Sequence, residues 1–201
     1  MEKKKSISRE QIIKTTLNLL HDKKELRGVN LREIARTLGC AHTNLYNYFP
    51  SFTDLLWATH TALQEVFMMK LKDNLSSATT AEMKLKYFFN TFLQVYLDNT
   101  GWFRLAWLEY IGEDRPESDV AATKAASEEL NQYVLDIWQE LSESKVDNKK
   151  VSETMHNTHC YIIGEVSNYI SGRGLIENEA EFKNHVVSQA IKILTLCLRE
   201  E

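Results

Sequence analysis

Helix-start signals recur along this chain, and residues that break helices are rare. A capping signal places Ser, Thr, Asn or Asp three residues before an acidic or amide residue, which satisfies N–H groups that a helix leaves unbonded. Five such pairs precede runs of helical apolar spacing: Ser8/Gln11, Asn30/Glu33, Ser51/Asp54, Thr79/Glu82 and Asn178/Glu181. Only two prolines and seven glycines interrupt its 201 residues, and no alternating Val/Ile/Thr-rich run occurs. The sequence therefore predicts an all-α protein.

Apolar spacing and these caps predict nine helices. They span residues 8–23, 31–38, 42–48, 51–75, 80–98, 101–111, 116–143, 149–171 and 178–199. A helix of about eight residues is too short to be stable alone. The second and third helices are therefore expected to pack with the first into a compact unit over residues 1–50. Residues 51–201 are expected to form a larger helical domain, to which the fourth helix, from residue 51, is the connection.

The composition favours an intracellular setting. No apolar run approaches the ~18 residues that a membrane span needs. The start, MEKKKSISRE, is basic but has no apolar segment behind it, so no secretory signal is expected. The cysteines are Cys40, Cys160 and Cys197, an odd number without CxxC spacing. This predicts a reducing, cytoplasmic environment and neither a disulfide framework nor a thiolate zinc site.

Charge is distributed unevenly along the chain. Residues 1–50 hold ten Lys/Arg against five Asp/Glu, whereas residues 51–201 hold fourteen against twenty-three. A basic N-terminal segment followed by an acidic remainder indicates that the N-terminal segment binds a polyanion such as nucleic acid. Chance clustering is the alternative, because Lys3, Lys4 and Lys5 alone supply three of the charges.

The two short helices show one buried face each. Apolar residues in the first recur at helical spacing, at Leu31, Ile34, Ala35 and Leu38, and Gly39 follows where a left-handed stop is wanted. In the second, Leu45 and Phe49 face inward, which leaves outward Thr43, Asn44, Asn47 and Tyr48, with Tyr46 at the edge. Two short helices joined by a tight turn have helix-turn-helix geometry, whose second helix fits the DNA major groove. A plain helical hairpin is the alternative.

The stretch LREIARTLGCAHTNLYNYFPSFTDLL, residues 31–56, resembles the DNA-binding signature of the tetracycline-repressor (TetR) family. The matching elements are Ile34-Ala35, Gly39, Leu45-Tyr46, Tyr48-Phe49 and Leu55-Leu56. The likeness covers roughly residues 8–56, and the rest of the chain matches only in length and helical character. It implies a homodimer whose two recognition helices enter successive major grooves of a palindromic operator. It also implies that residues 51–201 form a ligand-binding and dimerisation domain, whose small-molecule pocket is coupled to the spacing of those helices.

The resemblance also assigns DNA contacts by position. Thr43, Asn44 and Asn47 correspond to base contacts, and Arg32 is a further candidate. Tyr46, Tyr48 and the Asn30 cap correspond to places that meet phosphates. Lys3, Lys4, Lys5 and Arg9 are expected to add salt-sensitive, non-specific attraction.

Two positions depart from the family pattern. Phe52 stands where the family usually has a lysine, so a phosphate-directed cation is missing and the aromatic ring is expected to pack on the first helix instead. Ala41 stands where a Ser or Thr often caps the recognition helix. A lost cap costs about 1 kcal/mol, so this helix is expected to be poorly held without DNA. His42 beside it either faces phosphate or is a solvated turn residue.

The larger domain offers aromatic pocket candidates. Large apolar residues are dense over residues 83–110, and such a stripe belongs to a core more often than to a pocket. A regulator of the implied kind nevertheless needs a cavity, and cavities are mostly apolar. The ligand-binding candidates are Phe89, Trp102, Trp107, Tyr110 and Tyr161.

The sequence predicts that the last two helices form a dimer interface. With their symmetry mates they are expected to form a four-helix bundle between two copies of the chain. The interface candidates are Ile162, Val166, Ile170, Val186, Ala190, Ile193, Leu194 and Cys197. The alternative is that these helices only cover the core of one chain.

The leading hypothesis is a ligand-responsive repressor, released from its operator by a small molecule, which is not an enzyme and carries no cofactor. A metal-binding helical protein is one alternative, because Glu153, His156, His159 and Cys160 share a short stretch of one helix. No second copy of this cluster, Gly-rich phosphate loop or nucleophile motif is present. A helix-turn-helix protein that acts through protein partners only is the other alternative.

Overall fold

The prediction of an all-α protein is confirmed by a computed structural model that describes residues 7–112, 114–142 and 145–199. Lys3, Lys4 and Lys5 lie outside these residues. Within them the elements are α1 (Arg9–Lys23), α2 (Leu31–Leu38), a 3-10 helix (His42–Asn47), α3 (Phe52–Ser76), α4 (Ala81–Asp98), α5 (Thr100–Trp107), α6 (Glu117–Leu141), α7 (Asn148–Ile170) and α8 (Glu179–Arg199).

Most of the predicted caps are formed. Ser8 and Gln11 make a reciprocal box, in which the Gln11 N–H donates to Ser8 Oγ over 3.2 Å and the Ser8 N–H donates to Gln11 Oε1 over 3.0 Å. The side chains that cap α2, α3 and α8 accept from the expected N–H groups, as predicted for Asn30, Ser51 and Asn178. The cap of α4 lies one residue later than predicted, because Thr80 Oγ1 and not Thr79 accepts from the Met83 N–H, over 3.2 Å.

Two elements end or form differently from the prediction. The segment 42–48, predicted as an α-helix, is a 3-10 helix that ends at Asn47. The helix predicted to reach residue 111 ends at Trp107. Its end is closed because the N–H groups of Leu108 and Glu109 both donate to the Arg104 carbonyl oxygen over 2.9 Å. Tyr110 consequently lies in a loop.

Packing divides the described residues into two compact units. The first unit comprises the described residues of 1–66 and 99–122, and the second comprises those of 67–98 and 123–201. The division falls within α3 and α6. The functional boundary predicted after residue 50 stays a prediction.

The first unit is built on a core shared by α1, α2, the 3-10 helix, α3 and α5. Its fully buried members include Ile12, Leu20, Ile34, Leu45 and Leu55. Helix α5 packs unusually close to α1, since a Cβ on Gly101 would lie 2.0 Å from the Leu20 carbonyl oxygen. The Trp102 indole N–H donates to the Leu17 carbonyl over 2.8 Å. Only glycine fits at position 101, and α5 is thereby part of the N-terminal unit.

The second unit packs α4, α7 and α8 together. The rings of Phe88, Phe89 and Phe92 are buried in its core, at mutual centroid distances of 5.2 to 6.5 Å. Tyr169 near the end of α7 stacks on Phe182 of α8 at 4.2 Å. Among the described residues, no helix combines the length and the apolar character that crossing a membrane would require.

Candidate nucleic-acid interface

The predicted helix-turn-helix begins with α2, whose two ends are fixed by local chemistry. Asn30 Oδ1 accepts the Glu33 N–H over 3.1 Å at its start. Gly39 at its end has a φ of 71°, the left-handed region that favours glycine. The N–H groups of Gly39 and Cys40 donate to the carbonyls of Arg36 and Ala35 over 3.2 and 2.9 Å, which completes a Schellman motif. This turn directs the chain into the 3-10 helix.

We call the 3-10 helix His42–Asn47 the reading segment. No side chain caps it: Ala41 stands at its N-terminus and makes no side-chain hydrogen bond. The Asn44 N–H instead donates to the Ala41 carbonyl over 3.0 Å, the tight i to i+3 pattern of a 3-10 helix. Asn and Thr have weak helix propensity, so nothing local favours the wider α-helical turn. The missing cap is therefore confirmed, and the expectation that the segment is poorly held without DNA stays a prediction.

Burial anchors one side of the reading segment and leaves the other open. Leu45 is 0% and Phe49 1% exposed, both within the core of the first unit. The predicted DNA contacts that are exposed are Asn30, Arg32, His42, Thr43, Tyr46 and Asn47, whereas Asn44 and Tyr48 are half-buried. Leu45 and Phe49 therefore face inward and Thr43 and Asn47 outward, as predicted. Tyr46, predicted at the edge, is more exposed than Asn44 and Tyr48, which were predicted to face outward. The individual DNA contacts stay predictions.

Tyr48 is bonded to the first residue of α1 and to the chain just before that helix. Its hydroxyl donates to the Ile7 carbonyl oxygen. Its own carbonyl accepts from the Arg9 guanidinium over 3.1 Å, and this guanidinium lies 4.3 Å from the centroid of the Phe49 ring. Arg9, expected to give only diffuse attraction, braces the end of the reading segment. The sequence pattern carried no signal for this contact, because the residues are 39 positions apart.

The cations around α2 are partly neutralised. Lys23 Nζ donates to Glu33 Oε2 over 2.5 Å and to the Gly28 carbonyl over 2.7 Å. The hydrogen bond from Lys23 lowers the pKa of Glu33, with smaller contributions from the charges of Lys23 and Arg36, so the carboxylate is ionised at neutral pH. Arg36 is 3.3 Å from the same carboxylate. Arg32 has no ion pair among the described residues, which leaves its charge available on the outer face of α2.

Phe52 is half-buried and packs against the core of the first unit. The side chain that replaces the expected cation thus contributes to stability.

The predicted ligand-binding residues fall in different parts of the fold. Phe89 is fully buried and Tyr161 half-buried, both in the second unit. The other three belong to the first unit: Trp102 is held by its bond to Leu17, Trp107 is 43% exposed and Tyr110 is 75% exposed. A cleft in the second unit, between α6 and α7, has a lining that includes none of the five. Their ligand role stays a prediction.

The cluster at residues 153–160 does not converge. Cys160 Sγ is 3.7 Å from His156 Nε2 on one side of α7. His159 is engaged elsewhere, with its Nε2 2.7 Å from the Tyr96 hydroxyl and its ring 5.0 Å from that of Phe92. Among the described residues, no group of three or more His, Cys, Asp or Glu side chains is placed to hold a metal ion. The metal-binding alternative therefore gains no support.

The predicted interface residues are mostly used within the chain. Ile162, Val166, Val186, Ala190 and Leu194 are at most 1% exposed in the single chain. The remaining three, Ile170, Ile193 and Cys197, are half-buried. The first five pack the core of the second unit, so a partner can reach only the other faces of these two helices.

Comparisons with known proteins support the fold assignment. No family model matches the sequence, and no curated protein matches it. A solved protein of unknown function from Rhodococcus sp. RHA1 matches 99% of this chain and 100% of its own, with a TM-score of 0.77 at 15% identity. A tetR-family transcriptional regulator from Streptomyces coelicolor matches over 94% and 83%, with a TM-score of 0.68 at 16% identity. A TetR transcriptional regulator from Rhodococcus sp. RHA1 matches over 96% of both chains, with a TM-score of 0.62 at 17% identity.

The fold and its N-terminal unit define the class of helical proteins with a helix-turn-helix followed by a larger helical region. The fold is that of the TetR-family transcriptional regulators. The resemblance drawn from residues 31–56 is confirmed at the level of the fold.

Proposed function

We propose that the chain is a cytoplasmic, sequence-specific DNA-binding transcriptional regulator and not an enzyme. One observation carries the proposal: in a fold of this class, the reading segment keeps Leu45 buried and Thr43, Tyr46 and Asn47 exposed. Thr43 and Asn47 carry neutral hydrogen-bonding groups of the kind that read base edges in the major groove. Exposed polar side chains on a segment that a buried residue holds in place contribute little to stability and are well placed to bind a partner.

Two sets of contacts are proposed for double-stranded DNA. Thr43, Asn44 and Asn47 meet base edges and carry the sequence preference. Arg32 is a further candidate for a base contact, whereas Asn30, His42 and Tyr46 meet the phosphates and fix the register of the protein on the duplex. Tyr48 acts indirectly, because its hydroxyl is already bonded to Ile7.

A gel-shift assay with DNA flanking the coding sequence tests the proposal. The wild-type chain should form a specific complex whose affinity falls as salt rises. Thr43→Ala together with Asn47→Ala should weaken the specific complex by at least tenfold, since a good base contact is worth about 1–3 kcal/mol. Gln139→Ala, at an exposed position of α6, is the matched control and should bind as the wild type does. Failure to form any salt-sensitive specific complex would count against DNA reading.

The same variants address the alternative of action through protein partners alone. If the double variant changes promoter activity in cells without changing DNA binding, the partner hypothesis gains support. If it abolishes both together, DNA reading accounts for the activity.

A homodimer on a palindromic operator is part of the proposal. The available faces of α7 and α8 carry Gly164, which is exposed, and Leu196, which is 51% exposed. A Cβ on Gly164 would meet nothing within 4 Å, so no intrachain contact explains a glycine there. A helix-interior glycine costs about 1 kcal/mol relative to alanine, and close approach of a second helix is a physical reason to keep one.

Sedimentation analysis tests this dimer. Gly164→Arg and Leu196→Glu should each convert a dimer to a folded monomer, because both side chains project from the surface of one chain. Ala125→Arg and Val120→Glu, at exposed positions of α6, are the matched controls and should leave the dimer intact. A wild-type chain that sediments as a monomer at micromolar concentration would refute the dimer.

Repression relieved by a small molecule completes the proposal. A ligand that binds better to a form with wrongly spaced recognition helices shifts the population away from the DNA-bound form. A reporter placed behind the operator should be silent with the wild-type chain and active when the gene is deleted. Higher reporter output in the presence of the protein would instead indicate an activator.

A further inference from the structure

A cleft of 530 Å³ lies between α6 and α7 in the second unit. This volume falls in the range of small-molecule sites. We call it the α6–α7 cleft. Its polar lining comes from both helices and consists of Ser127, Asn131, Ser152, Glu153, His156 and Asn157. The hydroxyl and amide groups can accept or donate hydrogen bonds, so they suit a polar ligand without fixing its charge.

Charge is what distinguishes the cleft. Glu153 is the one carboxylate in its lining, which contains no lysine or arginine. The nearest cation, Lys149, is 3.8 Å away in an exposed i, i+4 pair whose side chains are 85% and 65% exposed. Such a pair is worth little, so the carboxylate can exchange this partner for a ligand cation at small cost. An anionic ligand would meet repulsion from Glu153, and no lysine or arginine in the lining would compensate for it.

An apolar floor completes the cleft. Leu130 and Met155 line it together with the His159 ring, and Met155 is 5% exposed. Burial lowers the pKa of His159 to about 4, and the nearby His156 adds to this shift. The ring is therefore neutral at pH 7. Its hydrogen bond to Tyr96 and its packing at 5.0 Å on Phe92 fix its position.

We propose that the α6–α7 cleft binds a compact organic cation, an amine whose ammonium group pairs with Glu153 and whose apolar part lies on Leu130, Met155 and His159. A thioether and an imidazole face favour a planar or aromatic group at the floor. The amine is the effector that releases the regulator from DNA. This effector role rests on the proposed function, whereas binding of the amine does not.

Isothermal titration of the full chain with matched probes tests the site. Tyramine and 4-hydroxyphenylacetate share a ring and differ in having an ammonium or a carboxylate group, and agmatine is a non-aromatic cation. Tyramine should bind at least tenfold more tightly than 4-hydroxyphenylacetate. Glu153→Gln should weaken tyramine about tenfold, because the ammonium group exchanges a charged hydrogen-bond acceptor for a neutral one.

Glu128→Gln is the control. Glu128 forms the equivalent exposed i, i+4 pair with Lys124 at 3.9 Å, with a side chain 67% exposed, and is not part of the lining. It should change tyramine affinity less than twofold. Ser127→Trp fills the cleft from an exposed position without altering its charge, and it should abolish binding.

Three results would overturn the site: no binding of either amine at millimolar concentration, a preference for 4-hydroxyphenylacetate, or equal losses from Glu153→Gln and Glu128→Gln. The gel shift separates the two proposals. Glu153-dependent tyramine binding by a chain that forms no DNA complex upholds the site and refutes the regulator. Glu153-dependent binding that leaves a specific DNA complex unchanged upholds the site and refutes its effector role.

Discussion

Nδ1 of His60 in α3 lies 2.7 Å from Oδ1 of Asp119 in the first turn of α6, and the Asp119 side chain is only 1% exposed. The Thr61 hydroxyl donates to the same oxygen over 2.8 Å, and Arg115 Nε donates to the other oxygen over 2.7 Å. Arg115 also lies 5.5 Å from the Trp57 ring. One buried carboxylate thus joins the start of α6 to the middle of α3 within the first unit.

Asp119→Asn should destabilise the fold by about 3 kcal/mol. The substitution removes the buried carboxylate that pairs with Arg115 and leaves this cation without compensation. Urea unfolding followed by circular dichroism measures the change. Asp73→Asn, at an exposed position of α3, should cost no more than about 0.5 kcal/mol. Equal costs for the two variants would show that the Asp119 contacts contribute nothing specific.

Stability should fall in acid partly because of Asp119. Burial by itself raises the pKa of Asp119, but hydrogen bonds from His60, Thr61 and Arg115 outweigh it, and the pKa is lowered overall. The stabilisation is therefore fully present above the unfolded value of about 3.9 and is lost as pH falls through the lower folded value. Urea midpoints measured from pH 7 to pH 3 should show a smaller acid loss for Asp119→Asn than for the wild type. Parallel curves would contradict the lowered pKa.

Gly101→Ala should cost about 3 kcal/mol, at the upper end for overpacking, because the new Cβ would meet the Leu20 carbonyl oxygen and backbone cannot move aside. Gly164→Ala is the matched substitution, since its Cβ meets nothing within 4 Å in one chain. In a monomeric Leu196→Glu background it should stabilise α7 by about 1 kcal/mol. Urea unfolding of both variants in that background gives the comparison. A mild effect at Gly101 would mean that α5 does not pack on α1 as closely as described.

Changing Tyr46 or Tyr48 to phenylalanine should have different effects on stability and on DNA binding. Tyr48→Phe loses the hydrogen bond to Ile7, so it should reduce stability by about 1 kcal/mol. Tyr46 is 50% exposed, so Tyr46→Phe should leave stability unchanged and weaken DNA binding by several-fold. Thermal unfolding and gel shifts on both variants measure the two effects. The reverse pattern would assign the phosphate contact to Tyr48.

Local chemistry explains why much of the fold is predictable from the sequence. The caps at Ser8, Asn30, Ser51 and Asn178 depend on residues three positions apart, and all four form. The residue type could not predict that Thr80 and not Thr79 caps α4, because adjacent threonines offer the same hydroxyl acceptor. The sequence indicates that Ala41 cannot cap the reading segment, but it does not indicate the 3-10 geometry that the segment adopts.

The contacts that sequence reasoning missed join distant positions. His60 and Asp119 are 59 residues apart, and neither carries a motif. The α6–α7 cleft is lined mainly by polar residues, of which the sequence singled out Glu153, His156 and His159 only as metal candidates, while its aromatic density drew attention to α4 and α5. Side chains of that kind are common on exposed helix faces, so only the packing of the two helices distinguishes those that line a cleft.

The close packing of α5 on α1 also bears on the order in which the molecule can be made. Trp102 bonds to a carbonyl 85 residues earlier in the chain, at Leu17. At about 5–20 residues per second, the ribosome needs on the order of ten seconds to add that many residues. During this interval α1, α2 and the reading segment exist without the helix that covers Leu17 and Leu20. A nascent chain therefore carries an incomplete N-terminal unit with part of its apolar surface exposed, and this is the stage at which a chaperone would be most useful to it.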